Sequence, residues 1–534
     1  MGSEQVLVVG LDGVDFRYLD RFTDDLPNIT ALRDGGVEAP LTATHPPWTG
    51  SAWPSMYTGL DPSTHGVYDF FDYRDSYPDE AEIVSRNDVD APAIWNYLSA
   101  IDRTSIVLNV PVTHPAEQID GVVVPGYLAP ADEGGHPEGI RDELSDALGE
   151  PYRIYASSET SEDEPTASEY AELIRSRASA ATYLMETTDW DFAFIQVQKT
   201  DTVFHNFSEE AVFRRVFRAT DDLVGRLTDH VDDETTVVLV SDHGMGPTSG
   251  ELYLNDILEE HGYVETTANP TNLELSGVKS DEDGGESDSM AALARVSDLL
   301  GRIGLGPQQG YRIAQRLGIE QQIIDVLPEL VTQSLAKGVD WRASQAYCRR
   351  TSEQGIRINL AGRDESGVVT EAEYEQLRDE LVKLLSNLET DRGEKVFESV
   401  KPREAVYDGP YAEHACDILF QTASMDHEIS TNFHGRAMRS IDSHNHKQHG
   451  IFVASGPSID RRPDGPISLL AVAPMLFGAL EAPVPERLAD SLTRDILSKP
   501  IEQQRYDDVP FGRSASYSQD RTEVTDRLED LGYL

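Results

Sequence analysis

Basic residues are scarce in this sequence, and their scarcity excludes several classes of partner. The 534 residues include eight lysines, and 44 Lys and Arg stand against 95 Asp and Glu, which gives a formal net charge of −51. No basic stripe is present that could neutralise phosphate groups, so nucleic acid is not an expected partner. The acidity is spread along the whole length and is not gathered in a tail. It therefore favours adaptation to a very salty cytoplasm over an acidic interaction surface, because high ionic strength screens self-repulsion.

Cysteines, long apolar runs and a basic N-terminal segment are also scarce or absent. Cys348 and Cys416 are the two cysteines of the chain, which is too few for a disulfide framework and indicates a reducing compartment. No window approaches about 18 consecutive apolar residues, so we expect no membrane span. The first residues, MGSEQVLVVGLDG, contain no basic region before a strand-like run, so we expect no signal peptide. Together these features predict a cytoplasmic protein.

The hydrophobic residues that are present alternate between two kinds of pattern. Residues 5–11, 190–197 and 236–240 are short apolar runs rich in β-branched residues, as in buried strands. Residues 167–187 and 209–230 have the spacing of long amphipathic helices. This alternation predicts an α/β fold with a mostly parallel sheet covered on both faces. Further predicted helices are 26–35, 93–100, 139–148, 371–388, 468–480 and 521–531, and further strands are 104–110, 121–124, 346–360, 417–421 and 450–454.

One internal segment differs in composition from its surroundings. Residues 266–289 are polar, acidic and contain Gly and Ser, which is typical of a linker. Residues 290–337 have helical periodicity broken by Gly-rich turns. We therefore divide the chain into a core formed by residues 1–265 and 340–534, and an inserted linker and helical cap at residues 266–339.

Metal-ligating residue types follow or precede several of these strands. Asp12 follows the first strand, and Asp201 and His205 follow residues 190–197 with the four-residue spacing of one helical face. Asp242 and His243 follow residues 236–240 and precede two glycines, which predicts a tight turn. His444, His446 and His449 precede residues 450–454. Each group alone also fits a turn, a solvated helix face or a surface cluster, but together at strand ends they favour a two-metal hydrolytic site.

Thr49 is the candidate nucleophile for that site. It lies in the block THPPWTGSAWPSMYTGLDPSTHG at residues 44–66, where residues 51–57 are predicted to form a short helix with Thr49 at or near its N-cap. A threonine there is often only a cap. Beside metal ligands it gains a second interpretation, because a divalent cation lowers the pKa of a hydroxyl. Carboxylate and imidazole ligands suit Zn²⁺ or Mn²⁺, with Mg²⁺ also considered, better than Ca²⁺.

The order of these residues resembles the alkaline phosphatase superfamily, and within it the type I phosphodiesterases and nucleotide pyrophosphatases. The blocks that carry the resemblance occur in family order over nearly the whole chain, and they are GLDGVD, PPWTGSAWPSMYTGLDPSTHGVYDF, NVPVTHP, TDTVFHNF, SDHGM and HGIFVASGP. The resemblance implies a three-layer sandwich with a mostly parallel central sheet and a helical cap insertion. It also implies a hydrolase that acts on small phosphate esters.

The resemblance further implies how the residues are divided between two divalent metal ions. One ion is held by Asp201, His205 and His446, and the second by Asp12, Asp242, His243 and the oxygen of Thr49. Thr49 attacks phosphorus in line to form a phosphothreonine, which water activated at the first metal then hydrolyses.

Some assignments within this family pattern stay open. His446 is chosen because the last ligand of the family stands four residues before the glycine of the following strand, here Gly450, and His444 is the alternative. Lys199 lies near the ligands, where it either contacts substrate or is a solvated side chain. Nucleotide pyrophosphatases have an Asn soon after the nucleophile, whereas residues 50–53 here contain none, so the Gly50 amide is a candidate contact for a phosphate oxygen.

The sequence therefore predicts a metal-dependent hydrolase of phosphodiesters or nucleotide pyrophosphates. The main alternative is a phosphotransferase that moves a phosphoryl or phospho-alcohol group to an acceptor other than water. A phosphomonoesterase and a non-catalytic metalloprotein are weaker alternatives. A sulfatase is disfavoured because neither cysteine lies in the Cys/Ser-x-Pro-x-Arg motif of those enzymes. The sequence gives no indication of the oligomeric state.

Overall fold

The computed structural model describes residues 5–73, 77, 81–157, 164–268, 337–491, 496–512, 524 and 528. Most of the predicted linker and helical cap lies outside these ranges, as does nearly all of the predicted helix at residues 521–531, so both stay predictions.

The strands and helices of the described residues follow the alternation expected from the sequence. The strands are β1 (Val6–Leu11), β2 (Val37–Thr42), β3 (Phe71–Asp72), β4 (Glu82–Ile83), β5 (Ser105–Leu108), β6 (Gly121–Val124), β7 (Phe192–Val197), β8 (Thr236–Val240), β9 (Gly244–Tyr253), β10 (Thr266–Ala268), β11 (Lys337–Val339), β12 (Ala346–Tyr347), β13 (Gly355–Ile358), β14 (Phe397–Pro402), β15 (Ile418–Thr422), β16 (His427–Ser430), β17 (Met438–Lys447), β18 (His449–Ser455), β19 (Ile467–Ser468), β20 (Val484–Pro485) and β21 (Gln503–Gln504). The helices are α1 (Phe16–Arg21), α2 (Pro27–Gly35), α3 (Thr49–Thr58), α4 (Pro62–His65), α5 (Ile94–Ser99), α6 (Ile140–Leu148), α7 (Glu164–Thr187), α8 (Lys199–Asn206), α9 (Glu210–Thr228), α10 (Leu254–Glu260), α11 (Glu371–Ser386) and α12 (Val472–Ala479).

A large mixed sheet forms the centre of the molecule. Its strand order is β19-β2-β18-β8-β1-β7-β5-β6. β1 pairs in parallel with β7 and β8, and β5 pairs in parallel with β6 and β7, whereas β18 runs antiparallel to both of its neighbours. The carboxyl ends of β1, β7 and β8 therefore lie side by side at one edge, which is where open α/β sheets bind their ligands.

Both faces of this sheet are covered, as the unbroken burial of β1 requires. Val6 and Val8 pack on one face against α3, α5 and α12, and Leu7 and Val9 pack on the other against α2, α7 and α9. Two hydrophobic cores thus sandwich the sheet. The predicted α/β class and mostly parallel sheet are confirmed.

A smaller antiparallel sheet packs beside the central one and has its own core. Its order is β12-β13-β15-β14, and α11 covers it through Leu377, Leu381 and Leu385. We refer to residues 346–422 as the small-sheet region. A three-stranded sheet, β16-β9-β17, links it to the edge of the central sheet.

Two details differ from the sequence predictions. The strand expected over residues 346–360 is two short strands, β12 and β13, separated by a turn of 3-10 helix at Thr351–Glu353. The tight turn expected from the glycines after His243 is instead a bend at Asp242 and His243, followed at once by β9. Gly244 is needed for close packing, because a Cβ there would lie 2.1 Å from the carbonyl oxygen of His449.

In the described ranges, no helix has both the length and the apolar composition that crossing a membrane requires.

Candidate metal centre and nucleophile

The predicted site residues converge at the carboxyl edge of the central sheet. Asp12 directly follows β1, Asp201 and His205 lie on α8 after β7, and Asp242 and His243 follow β8. His446 reaches the same place from β17, and Thr49 is the first residue of α3. The structure therefore brings together the whole predicted set, which is Asp12, Thr49, Asp201, His205, Asp242, His243 and His446.

The first group of ligand atoms consists of Asp201, His205 and His446. The Nε2 atoms of the two histidines are 3.2 Å apart. His205 Nε2 lies 3.4 Å from Asp201 Oδ2, and His446 Nε2 lies 3.4 Å from Asp201 Oδ1. Four possible ligand atoms, from three residues on α8 and β17, thus lie close together.

The second group surrounds the hydroxyl of Thr49. Thr49 Oγ1 lies 3.2 Å from Asp12 Oδ1 and 3.4 Å from His243 Nε2. His243 Nε2 is 3.3 Å from Asp242 Oδ2 and 3.6 Å from Asp12 Oδ1. The candidate nucleophile therefore lies among the ligand atoms themselves.

These separations fit bound cations. Ligand atoms about 2.0–2.1 Å from a tetrahedral ion are about 3.3 Å from each other, which matches the range of 3.2 to 3.6 Å in the two groups. Within the described residues, the buried oxygens Asp201 Oδ1 and Asp242 Oδ2 accept no hydrogen bond. Because buried polar atoms are normally satisfied, these oxygens are suited to ligating metal ions.

The histidine rings are oriented for the same purpose. His243 Nδ1 lies 3.0 Å from the carbonyl oxygen of Gly244, and His446 Nδ1 lies 3.1 Å from that of Pro47. A proton on each Nδ1 satisfies these carbonyls and leaves the Nε2 lone pair for a ligand. The two rings also stack, with centroids 3.8 Å apart, so the first and second groups are in direct contact through His446 and His243.

Electrostatics explain why cations would bind here. Burial raises the pKa of Asp12 and Asp242 well above the usual range, and the negative charges of the neighbouring aspartates raise each pKa further. Burial also raises the pKa of Asp201, but the neighbouring His205 and His446 outweigh it and lower that pKa well below its usual range. The ionised forms of Asp12 and Asp242 are therefore costly without added positive charge.

Side chains that the sequence did not single out hold Asp12 in place. Trp53 Nε1 and Gln196 Nε2 donate hydrogen bonds of 3.0 and 2.8 Å to Asp12 Oδ2. With Oδ2 occupied, Oδ1 is the oxygen turned to Thr49. Gln196 could have been noticed as the polar residue in the otherwise apolar β7 run FAFIQV.

The structure also places the residues that the sequence left open. His444 packs its ring against Phe204, with centroids 5.4 Å apart, and among the described residues His446, not His444, belongs to a group of side chains that could hold a metal ion. Lys199 is not solvated, since it is 2% exposed and its Nζ lies 5.1 Å from the Tyr170 ring centroid. Thr49 begins α3 directly after Trp48, which occupies the N-cap position.

Comparison with known proteins decides the family. The sequence profile described as "Type I phosphodiesterase / nucleotide pyrophosphatase" matches residues 6–452. The chain belongs to the type I phosphodiesterase / nucleotide pyrophosphatase family. It is accordingly a phosphoric ester hydrolase, and the resemblance seen in the sequence is confirmed.

The first of two similar solved structures shares the fold of this chain. Phosphonoacetate hydrolase from Sinorhizobium meliloti 1021, in complex with phosphonoformate, is 15% identical with a TM-score of 0.55, covering 90% of this chain and 96% of that chain. Human ectonucleotide pyrophosphatase / phosphodiesterase 5 is 14% identical with a TM-score of 0.49, covering 93% and 100%. A search of curated protein sequences gives no significant match. The alkaline-phosphatase-like fold predicted from the sequence is confirmed.

A cleft in this phosphodiesterase-family chain opens beside the first ligand group. It has a volume of about 240 Å³ and is bordered by His205, His446 and Trp48. Its outer walls come from β16, β17 and the turn between β12 and β13. The site therefore has a buried end at Thr49 and an open end at the first ligand group.

Proposed function

We propose that this protein is a two-cation phosphodiesterase that acts through a phosphothreonine intermediate on Thr49. The observation that carries the proposal is the position of Thr49 Oγ1, 3.2 Å from Asp12 Oδ1 and 3.4 Å from His243 Nε2 inside a group of ligand atoms. Thr49 is not the N-cap residue of α3, which is Trp48, and its hydroxyl lies beside the buried carboxylate of Asp12. The substrate class is phosphodiesters or nucleotide pyrophosphates.

The residues divide into two cation sites. Asp201, His205 and His446 would hold one ion, and Asp12, Asp242, His243 and Thr49 the other. When bound, such ions lower the pKa of a hydroxyl and neutralise charge on the reacting phosphate oxygens. Mixed carboxylate and imidazole ligands at tetrahedral separations favour zinc, with manganese next.

The chain's own groups position the reacting oxygen. Thr49 Oγ1 donates a hydrogen bond to Asp12 Oδ1, which fixes the direction of its lone pairs. Oγ1 loses its proton to solvent and attacks phosphorus. As the Oγ1–phosphorus bond forms, the bond to the leaving oxygen breaks, and that oxygen takes a proton from water to leave as the alcohol. Water then cleaves the phosphothreonine, which releases the remaining phosphate ester and restores the hydroxyl.

Gly50 contributes space next to the nucleophile. A Cβ at this position would lie 2.9 Å from backbone atoms of Asp69, so only glycine permits the close approach. The amide of Gly50, in the first turn of α3, is then the candidate donor to a phosphate oxygen.

The direct test is to trap the intermediate. A rapid acid quench of the enzyme with bis(p-nitrophenyl) phosphate, followed by peptide mass spectrometry, is expected to show the p-nitrophenyl phosphoryl group on Thr49. Protein stripped of metal by a chelator is expected to form no adduct until Zn²⁺ or Mn²⁺ is restored. Full turnover by chelated protein, or an adduct on another residue, would refute the proposal.

A second experiment, product analysis, separates hydrolysis from transfer. A phosphotransferase would use the same intermediate and differ only in the acceptor, so product analysis with and without glycerol distinguishes the two. We expect the water-derived product to predominate.

A further inference from the structure

The cleft beside the first ligand group has a polar lining of unusual composition. Besides the ligands, the side chains that matter for its chemistry are those of Trp48, Asn206, Gln354, His427, Glu428 and Asn445. Among the described residues, no lysine or arginine lines it. Its polar character therefore comes from hydroxyl, amide and imidazole groups and from one carboxylate.

Gln354 is the most unusual of these residues. Its φ of 45° lies in the left-handed region, which is costly for a residue other than glycine. It is 8% exposed, and its Oε1 has no hydrogen-bond partner among the described residues. An amide oxygen that is buried, lacks a partner and borders a cleft indicates a ligand group that donates a hydrogen bond.

Two neighbours in the cleft support the same kind of ligand. His427 Nδ1 is a second buried atom with no partner in the described part of the chain. Glu428 accepts a 2.6 Å hydrogen bond from Thr248 Oγ1 through Oε1, and its carboxylate places negative charge in the cleft. A carboxylate disfavours a second phosphate there but accepts hydrogen bonds from hydroxyl groups.

We propose that this cleft binds the leaving alcohol of a phosphodiester, and that this alcohol is an uncharged polyhydroxylated group such as a glycerol or sugar unit. Gln354 is then a specificity-determining residue, which accepts a hydrogen bond from one hydroxyl of the alcohol. This inference rests on the proposed function, and it decides between diesters and pyrophosphates in favour of diesters.

The position of the cleft agrees with this assignment. In an in-line displacement the nucleophile and the leaving group lie on opposite sides of phosphorus. Thr49 belongs to the second ligand group, so the leaving oxygen lies towards His205 and His446, which border the cleft. A pyrophosphate substrate would place its second phosphate beside Glu428, without a cation from the described lining.

The test compares leaving groups in the full-length enzyme and in variants of Gln354. Gln354→Met removes both amide heteroatoms at similar volume, and Gln354→Glu keeps an acceptor oxygen. Gln345→Ala is the matched control, because Gln345 is an exposed glutamine of the same region. The substrates are glycerophosphoglycerol, diadenosine pyrophosphate and bis(p-nitrophenyl) phosphate, and kcat and KM are measured for each.

Gln354→Met is expected to lower kcat/KM for glycerophosphoglycerol by about 10-fold to 100-fold, mainly through KM. The same change is expected to leave bis(p-nitrophenyl) phosphate within about twofold, since that leaving group has no hydroxyl to donate. Gln354→Glu should retain more activity on glycerophosphoglycerol than Gln354→Met, and Gln345→Ala should match the wild type.

Each contrary outcome has one meaning. Equal losses on both diesters would show a structural role for Gln354 and overturn this inference alone, as would a lower KM for diadenosine pyrophosphate than for glycerophosphoglycerol. Failure to hydrolyse any of the substrates would overturn the proposed function and the inference with it.

Discussion

Asp242 and Asp417 are both fully buried, but arginines surround Asp417, whereas Asp242 has other aspartates as neighbours. Asp417, in the small-sheet region, accepts hydrogen bonds from Arg363 and Arg403, and these arginines together with Arg357 lower its pKa well below the usual range despite burial. Asp242 has two aspartates nearby, and burial together with the charge of Asp201 raises its pKa.

The comparison separates a structural carboxylate from a functional one. The first is neutralised by the chain itself, so it costs little in the folded state and contributes to stability. The second has no such neutralising arginine, and in the proposed function its counter-charge is a cation taken up from solution, which a chelator could remove. Changes near Asp242 should therefore affect chemistry, and changes at Asp417 should affect folding.

The largest effect is expected at Thr49, the proposed nucleophile. Thr49→Ala should lower kcat/KM for bis(p-nitrophenyl) phosphate by at least about 1000-fold, because no other hydroxyl replaces Oγ1. Bound metal, measured by mass spectrometry of the elements, should fall little. Thr49→Ser should keep measurable turnover. Full activity in the alanine variant would show that Thr49 is not the nucleophile.

The next effect is expected in the small-sheet region. Asp417→Asn should lower the free energy of unfolding by about 3 kcal/mol, because it leaves buried arginines without their counter-charge. Urea denaturation measures this loss, and kcat of the folded fraction should be unchanged. Asp391→Asn, at an exposed position of the same region, serves as the control. A larger effect of Asp417→Asn on kcat than on stability would contradict the division of roles.

A third effect concerns the cation that the ligand group requires. Zn²⁺ at about 100 times its Kd should raise the free energy of unfolding of the metal-free enzyme by about 2.7 kcal/mol. Asp242→Asn should reduce both this gain and the activity, and excess metal should restore part of the activity. Thermal melts with and without chelator measure the difference in stability. Melting temperatures that change neither with chelator nor in Asp242→Asn would exclude a metal site.

The smallest effect is the dependence of stability on pH. Asp417 has a lowered folded pKa, so its stabilisation is present above the unfolded value of about 3.9 and is lost as the pH falls through the folded pKa. Asp242 has a raised pKa in the metal-free protein, so its contribution has the opposite sign. The stability gap between wild type and Asp417→Asn should therefore narrow below about pH 4, and a constant gap would contradict the low pKa.

The central sheet and the positions of the metal ligands could be predicted because both depend on local pattern. Apolar runs such as β1, β7 and β8 identify parallel strands, and parallel strands deliver the residues after their carboxyl ends to one edge. Asp12, Asp201 and Asp242 were found in this way. That Thr49 is the nucleophile stays a prediction, although its position among the ligand atoms supports it.

Elements without an apolar pattern were missed. β17, with the sequence MRSIDSHNHK, is polar along its length and forms a strand only because it pairs with β9, with a register shift between Ser440 and Ser443. The conformation of Gln354 depends on the turn between β12 and β13, which sequence periodicity does not record. Long-range pairing and single-residue backbone states are set by tertiary contacts.

The pairing of β10 with β11 has a consequence for how the family scaffold can be modified. The two strands are antiparallel, with Ala268 opposite Lys337, so the chain leaves and re-enters at points about 5 Å apart. Doubling the length of a flexible connection costs only about 0.6 kcal/mol in closure entropy, so the pairing of β10 with β11 is compatible with connections of very different length. The junction between β10 and β11 is therefore a point where connecting segments of different length can be joined with little effect on the pairing of these two strands.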